Sequence, residues 1–286
     1  MRLAHISDLH ALDLTGVSPL SLIGKRVLGL LNLQSRRRDK YPLRIFEALV
    51  EDINRTAPDH VLATGDITNL SLHSEFLRAR SILEGIKLSP RHITVVPGNH
   101  DRYVLASMVD RWFERVLGQF CASDDGVVDY PLVRRRGEVV LIGCSTAWPC
   151  PPPLADGWLG AAQLERLGML LAEHRDRFRV VALHHPPVAN RWEILRGLRD
   201  RKRFAEVIAE HGAELIVHGH EHRDLVAELP GPTGGVPVIG VGSSTYDSPD
   251  ADSAARYNIY CIEGGQITET VQRIYDAASG SFRQSS

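Results

Sequence analysis

The sequence predicts an α/β protein in which sheets form a sandwich and helices cover its outer faces. Three observations lead there. Short apolar runs alternate with longer amphipathic ones through most of the chain, the pattern of strands followed by covering helices. From Pro237 onward, strand-like runs are separated by Gly and Pro instead of helices, which points to an antiparallel section at the C-terminal end. Clusters of Asp, Asn and His follow several apolar runs directly, where the loops of an open α/β sheet gather functional side chains.

Taken in order, Leu3–Ile6, Val61–Ala63, Ile93–Val96, Val139–Ile142, Val180–Leu183 and Leu215–Val217 read as buried strands, each ending at a turn or a polar cluster. Between them, Leu43–Thr56, His73–Ile86, Val104–Phe120, Ala161–His174 and Arg203–His211 carry apolar residues at helical spacing. Ile45, Leu49 and Ile53 recur at every fourth position of the first. Pro237–Val241, Tyr257–Ile262 and Ile267–Ile274 supply the late strands. The run Trp148–Pro153 reads as a stiff surface loop. One domain is expected over residues 1–276, with a small, polar, frayed tail at 277–286.

The 286 residues, 43% hydrophobic and 24% charged, are those of an ordinary globular protein. A formal net charge of -2 gives no whole-protein attraction to nucleic acid or anionic lipid, so any such affinity has to come from a local patch. Cys121, Cys144, Cys150 and Cys261 lack CxxC spacing and read as free thiols of a reducing compartment. The N-terminal residues run straight into a strand, leaving no room for a cleavable signal, and no apolar run approaches the roughly 18 residues that span a bilayer. A cytoplasmic location is the expectation.

The chemistry lies in five fragments: Asp8-Leu9-His10, Gly65-Asp66, Gly98-Asn99-His100-Asp101, His184-His185-Pro186 and His218-Gly219-His220. Carboxylate, amide and imidazole together suit divalent ions such as Mn, Fe and Zn. Asp8 and His10, two apart in an extended segment, share one face and can grip one ion. A single carboxylate at Asp66 has two oxygens and can bridge two. Asn99 adds a neutral oxygen that limits the negative charge. Any fragment alone is weak, because DxH and GxH arise by chance and a lone strand-end His is more often structural. Five in series, each at the end of an apolar run, point to two adjacent ions and to phosphate-ester hydrolysis.

The series DLH, GDITN, GNHD, HHPP and HGHEH resembles the calcineurin-like metallophosphoesterase superfamily over about residues 1 to 245. The resemblance implies a four-layered α/β/β/α sandwich with mixed sheets and two divalent ions (Mn, Fe or Zn) at the sheet edge. It further implies that Asp8, His10 and His220 hold one ion, that Asn99, His184 and His218 hold the other, and that Asp66 is shared. A hydroxide bridging the ions would attack a phosphodiester or pyrophosphate. His100 would contact the phosphate and protonate the leaving oxygen, with Asp101 orienting His100 or else capping the helix that follows. His185 would support the site or face substrate. His222 would line the pocket or stand in a solvated loop.

Substrate choice turns on the segment between the first ligand loop and the first long helix. Ser18–Lys40 carries Leu20, Leu22, Ile23, Val27, Leu28, Leu30, Leu31 and Leu33, then Arg36, Arg37, Arg38 and Lys40. An apolar stretch ending in a basic cluster suits a membrane surface or an acyl chain. Packing on the body of the domain is the alternative. The first reading resembles the UDP-2,3-diacylglucosamine pyrophosphatase branch of lipid A synthesis, acting as a peripheral protein at the inner membrane face. The second suits the class III cyclic-nucleotide phosphodiesterases. A second basic region, Arg191, Arg196, Arg199, Arg201, Lys202 and Arg203, is either a contact for a distant phosphate or a solvated helix face. The net charge and the lack of an accessory nucleic-acid domain count against nuclease action. A non-catalytic scaffold is the contrasting class, and the filled ligand positions argue against it. The expected partner is a small phosphate ester or a lipid nucleotide, with oligomeric state open.

Overall fold

The computed structural model describes residues 1–18, 22, 24, 26–27, 40–151, 153–189, 193–250 and 252–285. In chain order the first elements are β1 (Arg2–Ile6), α1 (Leu43–Thr56), β2 (His60–Ala63), α2 (His73–Glu84), β3 (Ile93–Val95), α3 (Leu105–Val109), α4 (Trp112–Cys121), β4 (Leu132–Arg136) and β5 (Val139–Gly143). They continue as α5 (Ala161–Glu173), β6 (Phe178–Ala182), α6 (Glu193–Arg196), α7 (Arg201–His211), β7 (Leu215–His218), β8 (Leu225–Pro230), β9 (Gly235–Gly240), β10 (Arg256–Glu263), β11 (Gln266–Asp276) and β12 (Ser281–Gln284).

Among the described residues the strands form two six-stranded mixed sheets, ordered β12-β11-β10-β1-β2-β3 and β4-β5-β6-β7-β9-β8. Alternation along the strands divides the apolar residues between two faces. Leu3, Leu62, Tyr260 and Ile262 of the first sheet meet Leu141, Val180, Leu215 and Val217 of the second in an inner layer. On the outer face of the first sheet, Ile6, Val61 and Val95 pack under Ile45, Leu49, Phe76, Phe113 and Leu117 from α1, α2 and α4. Beneath α5 and α7, Leu164, Leu167, Phe204 and Ile208 cover Ile142, Val181 and Ile216. The expected four-layered α/β/β/α sandwich is therefore the architecture.

Several elements differ from the sequence expectation. The single helix expected over Val104–Phe120 is two, α3 and α4, separated by Arg111 with a left-handed φ of 52°. The break turns Phe113, Leu117 and Phe120 to the core while Leu105 and Val109 stay exposed, so the apolar periodicity joined residues that face different ways. The run at Pro237–Val241 falls largely in β9, which lies parallel to β7 and antiparallel to β8 in the second sheet, apart from the β10–β12 meander. The expected tail at 277–286 contains a strand. Tyr275 pairs with Phe282 in the β11–β12 ladder, and the Phe282 ring is buried against Tyr257 and Tyr275. One aromatic in a polar stretch was too small a signal. None of the four cysteines is in a disulfide. No helix among the described residues is long and apolar enough to cross a membrane.

Most of the Ser18–Lys40 segment, including Leu20, Ile23, Leu28, Leu30, Leu31, Leu33 and Arg36–Arg38, lies outside the described residues, as does Arg191. Where the segment is described, Leu22 packs with Leu12, Val17 and Tyr103 on Leu70 and Leu72. Val27 is exposed, and Lys40 donates to the Tyr246 hydroxyl.

Glu75, in the first turn of α2, reaches back so that its Oε2 accepts from the backbone N–H of Leu70 (2.8 Å) and Leu72 (3.1 Å). Burial pushes its carboxyl up to about 8, against the pull of those donors and of Arg26. The folded state thus holds this proton to higher pH than the unfolded chain. The associated stability is full below the ordinary value of 4.5 and is lost as pH rises toward about 8. Glu75→Gln should flatten that decline when urea midpoints are compared from acid to pH 9. Parallel curves for the two proteins would contradict it.

Candidate metal centre

The parallel strands β1, β2 and β3 of one sheet and β6 and β7 of the other end at one edge of the sandwich, and the loops leaving them meet there. Two groups of donors result. In the first, the donor atoms of Asp8, His10, Asp66 and His222 all lie within 4.8 Å of one another. His10 Nε2 is 3.9 Å from Asp8 Oδ1, 3.9 Å from Asp66 Oδ2 and 3.1 Å from His222 Nε2. In the second, Asn99 Oδ1 stands 3.1 Å from His184 Nε2 and 3.0 Å from His220 Nδ1, nitrogens that are 3.2 Å apart. Asp66 belongs to both, because its other oxygen, Oδ1, is 3.4 Å from His184 Nε2.

The loops adopt an unusual backbone to achieve this. Asp8, His10, Asp66, His220 and His222 have φ of 52°, 50°, 52°, 72° and 53°. The left-handed region costs a non-glycine residue roughly 1–3 kcal/mol and persists where surroundings impose it. Here the 8–10 segment is not extended, as the sequence suggested. It is laid against β2's outgoing loop by Asp8 N–H to Gly65 O (3.0 Å) and His10 N–H to Asp66 O (2.9 Å). Ser7 Oγ donates to Asp8 Oδ2 at 2.6 Å, Ser243 Oγ to Asp8 O at 2.7 Å, and Thr245 Oγ1 to Leu9 O at 2.6 Å. Two glycines are required by close approach: a Cβ on Gly98 would overlap Asp66 Oδ1, and one on Gly219 would overlap Ser7 Oγ.

The donors fit divalent ions on several counts. His185 Nε2 and His220 Nε2 are buried with no hydrogen-bond partner, in a group with His184 whose donor atoms lie within 4.8 Å of one another, a costly arrangement unless something else satisfies the site. Burial lowers His10 and His220 well below the usual imidazole range, which leaves them neutral with a lone pair to give. Burial alone would raise Asp8 and Asp66, but the surrounding histidines, His222 for Asp8 and His184 for Asp66, hold both carboxylates down and ionised. Burial also opposes charge on His184, yet Asp66 outweighs it and lifts that imidazole to about 9, so an ion held by His184 would have to displace a proton. His184 Nδ1 donates to Thr64 O at 2.7 Å, which aims Nε2 at Asn99 and Asp66.

The matched family model is that of the calcineurin-like phosphoesterases, over residues 1–224. The chain belongs to this family. Among curated proteins it is similar to the 3',5'-cyclic adenosine monophosphate phosphodiesterase CpdA of Haemophilus influenzae, 26% identical over 60% of this chain and 58% of that protein. It is similar too to the glycerophosphodiester phosphodiesterase GpdQ of Enterobacter lignolyticus, 26% identical over 66% of this chain and 58% of that one. The chain therefore spans less than two thirds of the length of these relatives. A dimetal phosphatase from Danio rerio shares the fold with a TM-score of 0.61 at 14% identity, covering 95% of this chain and 94% of that one. Family and donor set together fit a dinuclear metal site.

Within this calcineurin-like phosphoesterase, Asp8, His10, Asp66, Asn99, His184 and His220 come together, and His218 does not join them. His218 is the last residue of β7, its Nδ1 donates to Gly219 O (3.0 Å), and its ring lies so close to β9 that a Cβ on Gly240 would strike it. The place expected for His220 beside Asp8 and His10 is taken by His222, while His220 stands with His184 and His185 and with Asn99. The ligand set read from HGHEH is thus displaced by two residues. Asp101 also departs from expectation. Its carboxylate accepts from the backbone N–H of Gly98, Ile67 and Thr68 and from Thr68 Oγ1, at 2.9 to 3.2 Å, so it ties the Asp66 loop to the Asn99 loop. The cap position of α3 is Val104, and the His100 ring meets Asn69 O instead, through Nδ1 at 2.6 Å. His185 Nδ1 contacts Thr146 Oγ1 at 2.7 Å, its ring 4.5 Å from that of His220. Of the second basic region, Arg196 reaches the His220 carbonyl at 3.4 Å, whereas Arg199 pairs with Asp156 over the Trp148 ring. Ser7, Ser243 and Thr245 carried no motif that marked them in advance.

Proposed function

We propose that this protein is a dinuclear metal-dependent phosphodiesterase that hydrolyses a small phosphodiester or pyrophosphate. The observation that carries the reading is the pair of imidazole–carboxylate groups sharing Asp66. Asp8, His10 and His222 would hold one ion, Asn99, His184 and His220 the other, and Asp66 both. Bound there, two divalent ions of the Mn, Fe or Zn kind supply a water of lowered pKa and neutralise charge on the phosphoryl oxygens. The chain's own groups do the rest. Asp66 Oδ1 accepts the His100 backbone N–H at 2.8 Å, which places the His100 imidazole at the rim of the first group, edge-on to His10. From there His100 would contact the phosphate and protonate the departing oxygen. Asp101 would act at one remove, by keeping the two loops in register. The names of the curated relatives favour a cyclic nucleotide or another small diester as substrate.

A second reading, a lipid nucleotide cleaved at a membrane surface, draws on one observation. Leu105, Met108 and Val109 of α3 are exposed just beyond His100 and Tyr103, with Val27 exposed on the segment expected to meet lipid. A non-catalytic scaffold has no support in a site whose donor positions are filled.

Metal-reconstituted protein should be assayed on bis-p-nitrophenyl phosphate, p-nitrophenyl phosphate, cyclic AMP and UDP-2,3-diacylglucosamine. Turnover of the soluble diesters, with much less on the monoester, is expected. Selective cleavage of the lipid nucleotide would replace this reading with the second, and no turnover on any of them would contradict both.

A further inference from the structure

One hydrogen bond fixes a point on an imidazole but leaves the ring free to rock about it. In this protein two neighbouring rings bear on the plane of His100. Tyr103 stacks on it, centroids 5.4 Å apart and planes 8° from parallel, and His10 meets it edge-on at 5.0 Å. With Nδ1 held by Asn69 O at 2.6 Å, the Tyr103 stack restrains where Nε2 points.

Both restraints lead back to the same stretch of chain. Tyr103 does not belong to the three main cores. It packs in a separate small cluster with Leu70 and Leu72, to which Leu12, Val17 and Leu22 contribute. Asn69 opens the loop that this cluster covers, and its own side chain donates to His10 O. Arg26 clamps the same loop by donating from Nε to Leu70 O (2.9 Å) and from Nη2 to Ser71 O (2.7 Å). Ser71 Oγ in turn donates to Asp101 O and lies 2.9 Å from Ser107 Oγ.

We propose that Tyr103 is a positioning residue for His100, and that the side chains of Leu12, Val17, Leu22 and Arg26 serve the reaction by holding Tyr103 and the 69–72 loop in place. The inference rests on the reading of His100 as the group that protonates the leaving oxygen. In that step a water oxygen bonds to phosphorus and releases a proton to solvent, the P–O bond to the leaving group breaks, the proton on Nε2 passes to the departing oxygen, and a proton from solvent restores the ring. The transfer depends steeply on orientation, since a misplacement of about 1 Å can cost on the order of 100-fold. It matters little when the leaving group is a good one. A residue that only stabilised the fold would not discriminate between leaving groups.

The test uses the metal-reconstituted chain with bis-p-nitrophenyl phosphate and diphenyl phosphate, in wild type, Tyr103→Leu, Tyr103→Phe, Arg26→Ala and His100→Ala. Tyr103→Leu should lose about 10-fold or more in kcat on diphenyl phosphate, less than about 3-fold on the nitrophenyl ester, with KM little changed. Tyr103→Phe, which keeps the stacked ring, should recover most of the loss. Arg26→Ala should fall in the same direction, and it keeps the test available if Tyr103→Leu does not fold. Alongside, the His100 Hε1 resonance of metal-free, histidine-labelled protein should move on Tyr103→Leu, where the ring current is lost, and hold on Tyr103→Phe. A leaving-group-selective defect in His100→Ala with equal losses on both esters in Tyr103→Leu and Arg26→Ala would overturn the positioning role alone. Equal losses on both esters in His100→Ala would overturn the proton-donor reading, and the inference with it.

Discussion

Asp66→Ala should abolish both metal retention and turnover. Asp66 is the one side chain in both donor groups, with Oδ2 toward His10 and Oδ1 toward His184, and its Oδ1 also accepts the His100 backbone N–H. Removing it takes a shared ligand from two ions at once and leaves two divalent charges with less anion between them. Loss of an outer partner of a ligand already costs about 10–100-fold in metal affinity, so loss of the shared ligand should exceed that range. The check is metal content by elemental analysis after gel filtration, read beside hydrolysis of bis-p-nitrophenyl phosphate. Wild-type turnover at wild-type metal content would sink the assignment. The substitution also removes the anion that keeps the His184 imidazole charged, so that ring should titrate at lower pH in metal-free Asp66→Ala.

The second large effect separates three histidines that look alike in sequence. His222→Ala should retain about one ion per chain and lose most activity, because His222 Nε2 stands 3.2 Å from Asp8 Oδ1 in the first group. His218→Asn should retain both ions, with any deficit appearing in thermal stability, because His218 is buried in β7 over Gly240. The opposite pattern, full metal content in His222→Ala and a missing ion in His218→Asn, would return the ligand assignment to the one read from the motif.

That misplacement has a physical cause. In HGHEH the spacing of two fits the pair 218 and 220 as well as the pair 220 and 222. The apolar run ends at Val217, so His218 looked like the first residue beyond the strand. In the structure the strand includes His218, and the chain turns at Gly219 before the left-handed residues 220 and 222 enter the cleft. Strand limits are decided by pairing with β9, which sequence alone does not contain. Asp101 shows the same dependence on distant chain: the 67–68 backbone, remote in sequence, supplies donors that its carboxylate meets.

What sequence did make legible was whatever depends on residue type and local period. Asp8, His10, Asp66, Asn99 and His184 are where their strand-end positions put them, and the helix at Leu43–Thr56 has the limits its apolar spacing implied. Elements whose burial depends on distant partners were less visible. Leu225–Pro230 alternates exposed and half-buried residues at an edge of the second sheet, with Leu229 buried, and in the C-terminal strand the buried residue is Phe282. The Ser18–Lys40 segment combined both difficulties. Its leucines and arginines suggested a membrane surface or an acyl chain, while the contacts of Leu22 and Arg26 with the 70–72 loop connect those two residues to His100 through residues that carry no motif.

The central claim, that two ions sharing Asp66 make this chain a phosphodiesterase, is tested most directly by adding Mn²⁺ stepwise to metal-free protein while following hydrolysis of bis-p-nitrophenyl phosphate. Turnover should be near background without metal, rise steeply as the second equivalent binds, and level off at two ions per chain. Hydrolysis that is already complete in the metal-free chain, or that saturates at one ion, would contradict it.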